Sequence, residues 1–204
     1  AGQRRRAATP LPATPLREHR SSPLARRVPG RGVVTLTGVQ LAVLMPIKRF
    51  ELAKRRLAPV LDDDQRARLA EWLAGRAAAA AAPHPLFVVC DDSGVARWAE
   101  RVGASVLWTP GLGLNGAVDA ARSTIAGKGF DHFVIAHSDL ILATDLAAAA
   151  TTGTITLTPD RYGDGTNVMA LPADAPIAAT YGGGSFAAHL AQALRSGRPV
   201  EVRR

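Results

Sequence analysis

Apolar runs alternate with helix-forming stretches from about residue 40 to the end of the chain. The first four runs cover residues 40–46, 86–90, 105–108 and 132–136, and each is followed by a polar or glycine-rich turn. Continuous apolar runs of this length are typical of strands that are buried on both faces of a sheet. Strands that alternate with helices predict a mostly parallel sheet flanked by helices.

The stretches between these runs carry helix start and stop signals. The acid cluster 62–64 suits the N-cap and first turn of a helix that Pro83 ends. The apolar face of this helix contains Leu69, Trp72 and Leu73. A further helix is predicted in the basic segment after the first strand. The remaining predicted helices are 93–102, 116–126 and 186–195, with a short one that starts near 144–145.

Three later strands are predicted at 154–158, 168–171 and 199–202. The first two are joined by a loop without a helix, which suggests an antiparallel addition at one edge of the sheet. The predicted fold class is therefore α/β, a single-domain, mostly parallel sheet flanked by helices, with an antiparallel edge addition.

Composition separates the N-terminal segment from the rest of the 204-residue chain. Residues 1–33 hold eight arginines and one acid, which is +7 of the formal net charge of +8. A segment rich in Arg, Pro, Ala and Ser cannot repay the entropy of ordering, so we expect a disordered tail at 1–33 and one domain at 34–204. Because that domain is near neutral, nucleic-acid binding is disfavoured, with a cationic arm left open as the alternative.

Cysteine content and hydropathy indicate the compartment. Cys90 is the only cysteine and lies in an apolar run, so it forms no internal disulfide and fits a reducing cytoplasm. No apolar segment approaches the ~20 residues of a membrane-spanning helix. We therefore expect a cytoplasmic protein without a membrane partner, and homodimerisation is left open.

Cations gather just after the first predicted strand. They are Lys48, Arg49, Lys54, Arg55 and Arg56. In open α/β sheets, ligands bind beyond the carboxyl ends of the strands, and cations there suit a phosphate. A solvated basic face explains the same residues and stays open as the alternative.

Polar residues follow other strands and should converge on the same edge of the sheet. Asp139 follows the fourth strand, and Mg²⁺ prefers one or two carboxylates plus phosphate oxygens. The alternative is that Asp139 caps the following turn. Asn115 follows the third strand in a tight loop.

Two glycine-rich loops are candidates for anion binding. Residues 163–167 have the glycines to wrap an anion with backbone N–H groups, or to form a plain β-turn. Residues 182–184 precede a helix that Ser185 suits to cap, with its N-terminus open to a phosphate or carboxylate. No GxGxxG follows the first strand and no GxxxxGKS occurs, which disfavours a dinucleotide dehydrogenase and a P-loop NTPase. His137 and His189 lack partners at zinc spacing, and His189 is interpreted as a hydrogen-bonding residue between loop and helix.

Six motifs in one order resemble a known family. They are PIKRFELAKRRLAPVL, FVVCDD, PGLGLN, HSDL, PDRYGDGTN and YGGGSFAAHL. Together they are similar to the guanylyltransferases of coenzyme F-420 biosynthesis, known as CofC or FbiD, over roughly residues 40–200. The resemblance implies a nucleotide-diphospho-sugar transferase type of Rossmann-like fold. It also implies transfer of GMP from GTP to 2-phospho-L-lactate, phosphoenolpyruvate or 3-phosphoglycerate, with release of pyrophosphate.

Residue roles follow from the same resemblance, position by position. Lys48 and Asp139 are the expected catalytic residues, and Asp139 would bind Mg²⁺. The implied mechanism is direct displacement at the α-phosphorus of GTP, without a covalent enzyme intermediate. Arg49 and Arg55 gain no role and are interpreted as surface charges. The expected binding residues are Lys48, Lys54, Arg56 and Asn115 for the nucleotide, and Thr166, Gly182 and Ser185 for the phosphorylated acid.

Two departures from the family pattern leave an alternative open. Ile141 stands where family members usually have a proline after the metal aspartate, which alters a turn. Family members also continue to an Asp-x-Asp-Thr segment with another metal carboxylate, and this chain ends at Arg204 before it. We therefore expect either a sequence truncated at its C-terminus or a catalytically impaired homologue that binds nucleotide or phosphate.

Overall fold

Seven strands form one mixed sheet in the computed structural model, which describes residues 38–204. The tail predicted at 1–33, and residues 34–37 of the predicted domain, lie outside the described residues. The strands are β1 (Leu41–Pro46), β2 (Leu86–Cys90), β3 (Ser105–Trp108), β4 (His132–Ala136), β5 (Ile155–Pro159), β6 (Thr166–Pro172) and β7 (Val200–Val202). Their order across the sheet is β3-β2-β1-β4-β6-β5-β7.

The first four strands run parallel, which confirms the predicted mostly parallel sheet. β1 pairs with β2 and with β4, and β2 pairs with β3. The antiparallel addition lies on the β4 side, where β6 runs against both β4 and β5, and β7 continues parallel to β5. The start of β6 therefore lies beside the end of β4, and Val168 pairs with Ala136.

Helices cover both faces of this sheet. The described helices are α1 (Asp63–Ala79), α2 (Ser93–Arg101), α3 (Gly113–Ala126) and α4 (Ser185–Arg195), with a 3-10 turn at Ala147–Ala149 where the sequence predicts a short helix. In β1, Val43 and Met45 pack on one face with α1 and α2, whereas Ala42 and Leu44 pack on the other face with α3 and α4. Within residues 38–204, no helix combines the length and the apolar character needed to cross a membrane.

The start of α1 has the predicted acidic cap. Asp62 Oδ1 accepts a hydrogen bond from the Gln65 backbone N–H at 2.8 Å, and the Asp62 N–H donates to Gln65 Oε1 at 3.0 Å. The predicted apolar face is wrong at Trp72, whose side chain is 53% exposed. Trp72 instead lies beside Arg76, whose guanidinium carbon is 5.7 Å from the centre of the indole ring. The buried face of α1 consists mainly of Ala70, Leu73, Ala74 and Ala77.

The helix predicted in the basic segment after β1 is wrong. In its place the structure has two short 3-10 turns, Phe50–Leu52 and Arg55–Leu57. Phe50 is buried and meets the Trp98 ring edge to face, with 5.5 Å between centroids, which anchors the segment against α2. Ala53 is extended and Lys54 has a positive φ of 53°. A continuous α-helix needs right-handed dihedrals at both positions.

Candidate active site

Two adjoining cavities lie beyond the carboxyl ends of β1, β2 and β4. The first, of about 230 Å³, is lined by the ends of β1 and β2 and the start of α3. The second, of about 280 Å³, is lined by the ends of β1 and β4 and includes Lys54 and Asp139. Lys48 and Arg49 line both cavities. The parallel strands thus bring their polar ends to one edge, as the sequence predicts.

Lys54 and Asp139 form an ion pair across the second cavity. Lys54 Nζ lies 2.6 Å from Asp139 Oδ2, and the two side chains are 26% and 48% exposed. Lys54 is the one non-glycine residue within 38–204 with a positive φ, a conformation that costs an L-residue about 1–2 kcal/mol. Burial alone would raise the pKa of Asp139, but the hydrogen bond and charge of Lys54 outweigh it, and the pKa is lowered. Asp139 is therefore an ionised carboxylate at neutral pH.

The N-terminus of α3 contributes to the first cavity. Its first residues, Gly113 and Leu114, line the cavity, and no side chain among the described residues caps the helix. The first turn of a helix carries a partial positive charge from its backbone N–H groups. Together with Lys48 and Arg49, this helix end makes the cavity suitable for a phosphate.

The structure separates the cations that follow β1. Lys48 and Lys54 reach the cavities. Arg49 also lines them, but its side chain is 60% exposed, in agreement with the predicted surface charge. Arg49 Nε lies 3.4 Å from Asp92 Oδ2. Arg56 is exposed and lines neither cavity, so the structure does not bring it together with the two lysines.

Asn115 holds the glycine-rich loop. Its Oδ1 accepts the Tyr181 backbone N–H at 2.7 Å, and its Nδ2 donates to the Tyr181 carbonyl at 3.2 Å. Both ends of the amide are thus engaged with the backbone of one residue. The expected contact with the nucleotide stays a prediction, whereas the observed contact positions the loop that leads to Gly182.

Thr166 and Ser185, two residues of the predicted acid subsite, lie side by side. Ser185 Oγ accepts the Thr166 backbone N–H at 3.0 Å, and both residues are 2% exposed. Thr166 Oγ1 also lies 2.9 Å from His189 Nδ1, which bears out the interpretation of His189 as a hydrogen-bonding residue. The predicted cap of α4 by Ser185 is wrong. The N-cap is Gly184, whose φ of +71° glycine adopts readily.

The loop between β5 and β6 is organised around its own carboxylate. Asp160 Oδ1 accepts the backbone N–H groups of Tyr162 and Asp164, each at 3.0 Å. Desolvation would raise the pKa of Asp160, but these backbone hydrogen bonds lower it. The loop is therefore a structural turn and not an open anion site, because the Asp160 carboxylate already accepts these backbone N–H groups. Asp164 Oδ1 in turn accepts the Gly184 N–H at 3.1 Å, so the start of α4 is not open as predicted.

His137 connects the cavity residues with the glycine-rich loop. It lines the second cavity with Asp139, and its ring meets the Tyr181 ring edge to face at 5.4 Å. Its backbone N–H donates to the Asn167 carbonyl at 3.1 Å, which extends the β4–β6 pairing. Burial lowers the pKa of His137, which favours a neutral ring. The sequence gives His137 no role because these neighbours are distant along the chain.

The chemistry of Asp139 suits a Mg²⁺ ion that takes its other ligands from phosphates and water. In the part of the chain that the structure describes, no group of three or more His, Cys, Asp or Glu side chains could hold a metal. Mg²⁺ is commonly bound by one or two carboxylates plus substrate phosphates and water. A half-exposed carboxylate beside two cation-lined cavities supplies one such ligand. The donor set therefore suits a metal that arrives with phosphates.

The described residues have an α/β fold of the nucleotide-diphospho-sugar transferase type. A solved structure from Desulfovibrio desulfuricans G20, described as a nucleotide-diphospho-sugar transferase, matches with a TM-score of 0.66 at 17% identity. The match covers 81% of this chain and 80% of that chain, and at this identity it concerns the fold alone. The family model for CofC-like guanylyl transferases matches residues 41–202. The chain belongs to this family, which confirms the resemblance of the six motifs.

Two relatives illustrate the family. A phosphoenolpyruvate guanylyltransferase from Sphaerobacter thermophilus is 36% identical over 166 residues, which is 77% of this chain and 80% of the relative. A 2-phospho-L-lactate guanylyltransferase from Methanothermobacter thermautotrophicus is 29% identical over 172 residues, which is 80% of this chain and 76% of the relative. The prediction that the protein is a nucleotidyltransferase is thereby confirmed.

Proposed function

We propose that the protein transfers GMP from GTP to phosphoenolpyruvate or 2-phospho-L-lactate and releases pyrophosphate. The observation that carries this proposal is the Lys54–Asp139 pair, which lies beside Lys48 at the edge where β1 and β4 end. Ligands of open α/β sheets bind beyond the carboxyl ends of the strands, so in a chain of the CofC-like family we assign this edge to the GTP phosphates. We assign Lys48 and Lys54 to these phosphates, whereas the role of Arg56, which lies outside both cavities, stays a prediction from the resemblance.

The phosphorylated acid is assigned to the group formed by Thr166, Gly182 and Ser185. The two hydroxyl side chains adjoin each other, and Gly182 is exposed with a φ of +137°. The contact of His137, which lines the cavity with Asp139, with Tyr181, which precedes Gly182, supports this assignment. The acid would therefore meet the nucleotide at the junction between the two groups.

The proposed chemistry is a displacement at the α-phosphorus of GTP. A phosphate oxygen of the acid forms the new P–O bond, and the bond to the leaving pyrophosphate breaks, so no proton has to be removed. Such a reaction needs alignment and charge neutralisation more than acid–base catalysis. Lys48 and Lys54 supply positive charge where negative charge accumulates, and Asp139 would hold the Mg²⁺. Bound Mg²⁺ neutralises phosphate charge and orients the phosphates.

Several finer points belong to the same proposal. Asn115 would act near the nucleotide by holding the loop at Tyr181. We propose 3-phosphoglycerate as a third acid to test, and coenzyme F-420 biosynthesis as the pathway that consumes the product. We place the reaction in the cytoplasm, where the buried thiol of Cys90 stays reduced. A homodimer stays a prediction.

Pyrophosphate release tests the proposal directly. The chain is incubated with Mg²⁺, GTP and each of the three acids in turn, with ATP and CTP as nucleotide controls. We expect release with GTP and at least one acid, and a loss of about 100-fold or more in Asp139→Asn. No release above background with any acid would contradict the proposal.

The alternative is a catalytically impaired binder. It predicts GTP binding by calorimetry without turnover under the same conditions. The relatives do not favour this alternative, because both are named as guanylyltransferases.

A further inference from the structure

A buried chain of hydrogen bonds runs from the glycine-rich loop through α4 to Thr166. The Thr180 backbone N–H lies 2.9 Å from His189 Nε2, and His189 Nδ1 lies 2.9 Å from Thr166 Oγ1. The Thr166 backbone N–H continues the chain to Ser185 Oγ at 3.0 Å. His189 is fully buried, and the Tyr181 ring meets it edge to face at 4.9 Å.

The first bond of this chain fixes the direction of the second. A backbone N–H can only donate, so His189 Nε2 must accept and carries no proton. The proton of the neutral ring is then on Nδ1, which donates to Thr166 Oγ1. In a doubly protonated ring, the Nε2–H would face the Thr180 N–H, and two donors cannot form a hydrogen bond with each other. Burial lowers the pKa of His189, which agrees with a neutral ring.

The direction determines what the Thr166 hydroxyl can bind. Because Thr166 Oγ1 accepts from His189, its own proton must go to another acceptor. No such acceptor contacts Thr166 Oγ1 among residues 38–204. Ser185 Oγ likewise accepts a hydrogen bond, from the Thr166 N–H, and its own proton has no acceptor among the described residues. The two hydroxyls are thus arranged as donors, and their complement is a group that only accepts, such as a phosphate or carboxylate oxygen.

We infer that His189 is a positioning residue: its Nδ1–H occupies the acceptor side of Thr166 Oγ1, so that the Thr166 hydroxyl donates its own proton to the substrate. The subsite therefore selects an oxyanion of the acid substrate, which can only accept hydrogen bonds. The inference deepens the proposed function and rests on it for the identity of that acid. The competing explanation is a purely structural role, in which His189 would only attach the loop 178–181 to α4.

The chain offers a matched control for the structural role. Gln192 lies on α4 and bonds the same loop, since its Oε1 accepts the Ala178 N–H at 2.9 Å and its Nε2 donates to the Ala178 carbonyl at 3.1 Å. Gln192 has no hydrogen bond to Thr166 among the described residues. Gln192→Ala therefore weakens the loop attachment without changing the Thr166 hydroxyl.

Kinetics of three variants separate the two roles. We expect His189→Leu to raise the KM for the acid at least 10-fold with the KM for GTP within 2-fold, because a hydrogen bond to a charged group loses its alignment. His189→Asn, whose amide nitrogen can replace Nδ1 as a donor, should recover most of this loss. Gln192→Ala should stay within about 2-fold for both substrates, as expected for a partly exposed contact. Equal effects of His189→Leu and Gln192→Ala on the acid would overturn the inference.

A spectroscopic measurement keeps the inference testable if turnover is absent. Long-range ¹H–¹⁵N correlation of the His189 ring in the full chain should show a protonated Nδ1 and an unprotonated Nε2. Calorimetry with inorganic phosphate as the probe should show weaker binding to Thr166→Val than to Thr166→Ser. A protonated Nε2, or equal phosphate binding by the two variants, would refute the assignment whichever substrate the protein uses.

Discussion

Lys54→Gly should separate the catalytic value of Lys54 from its value to the fold. The residue combines a left-handed backbone with an ion pair to Asp139, two features with opposite effects on stability. The left-handed conformation costs about 1–2 kcal/mol, which glycine relieves. Glycine in turn costs about 0.4–1 kcal/mol through the greater freedom of the unfolded chain. Loss of a partly exposed ion pair costs up to about 1 kcal/mol.

These contributions nearly cancel, so the free energy of unfolding of Lys54→Gly should lie within about 1 kcal/mol of the wild type. Pyrophosphate release should nevertheless fall by about 100-fold or more, because a charge aimed at the reacting phosphates is lost. Such a result would mean that the strained lysine is kept for catalysis, because a protein with glycine at this position would be about as stable.

Urea unfolding and a pyrophosphate assay measure the two effects on one preparation. Lys54→Ala is the matched control, because it removes the same charge but keeps the strained backbone. It should lose as much activity as Lys54→Gly and be less stable by about 0.5–1 kcal/mol. The reasoning is refuted if Lys54→Gly loses more than 2 kcal/mol of stability, or if it retains wild-type turnover.

Three further outcomes are expected. Asn115→Ala should lower the free energy of unfolding by about 1–3 kcal/mol by urea titration, because it leaves the backbone groups of Tyr181 without their partners, and a change below 0.5 kcal/mol would contradict this. Asp62→Ala should cost about 1 kcal/mol through loss of the α1 cap, whereas Asp62→Ser should cost less. The lowered pKa of Asp139 means that its contact with Lys54 stabilises the fold above the ordinary Asp pKa of about 4 and is lost as the pH falls through the lowered value. Asp139→Asn should therefore reduce the loss of stability on acidification, and identical acid profiles would exclude the contribution.

Local sequence signals were sufficient for most of the scaffold. Long apolar runs identify β1 and β4 because both are buried on two faces and carry no alternation. The cap at Asp62 is equally readable, because it depends on residues three positions apart. The meeting of Lys48 and Asp139 at one edge follows once β1 and β4 are known to be parallel.

Contacts between distant segments were not readable in the same way. The basic segment after β1 has a helical composition, yet the burial of Phe50 against Trp98 and the strained Lys54 break it into two turns. Arg49 is exposed as predicted, but its ion pair with Asp92 depends on the position of the segment that follows β2. His137 links the cavity to the glycine-rich loop only because this loop brings Tyr181 into contact with it. Each case depends on tertiary packing that overrides local propensity.

The reversed direction of β6 brings the residues that we assign to the acid close to the edge that we assign to the nucleotide. β4 and β6 are antiparallel neighbours, so Thr166 at the start of β6 lies next to the end of β4 and hence near Asp139. A β6 parallel to β4 would carry Thr166 to the opposite edge of the sheet, about 20 Å away at roughly 3.3 Å per residue. The short loop that Asp160 organises makes this reversal possible, because it returns the chain directly from β5 into β6. The reversal of β6 is therefore the feature of the fold on which the proposed meeting of the two phosphate-bearing substrates depends.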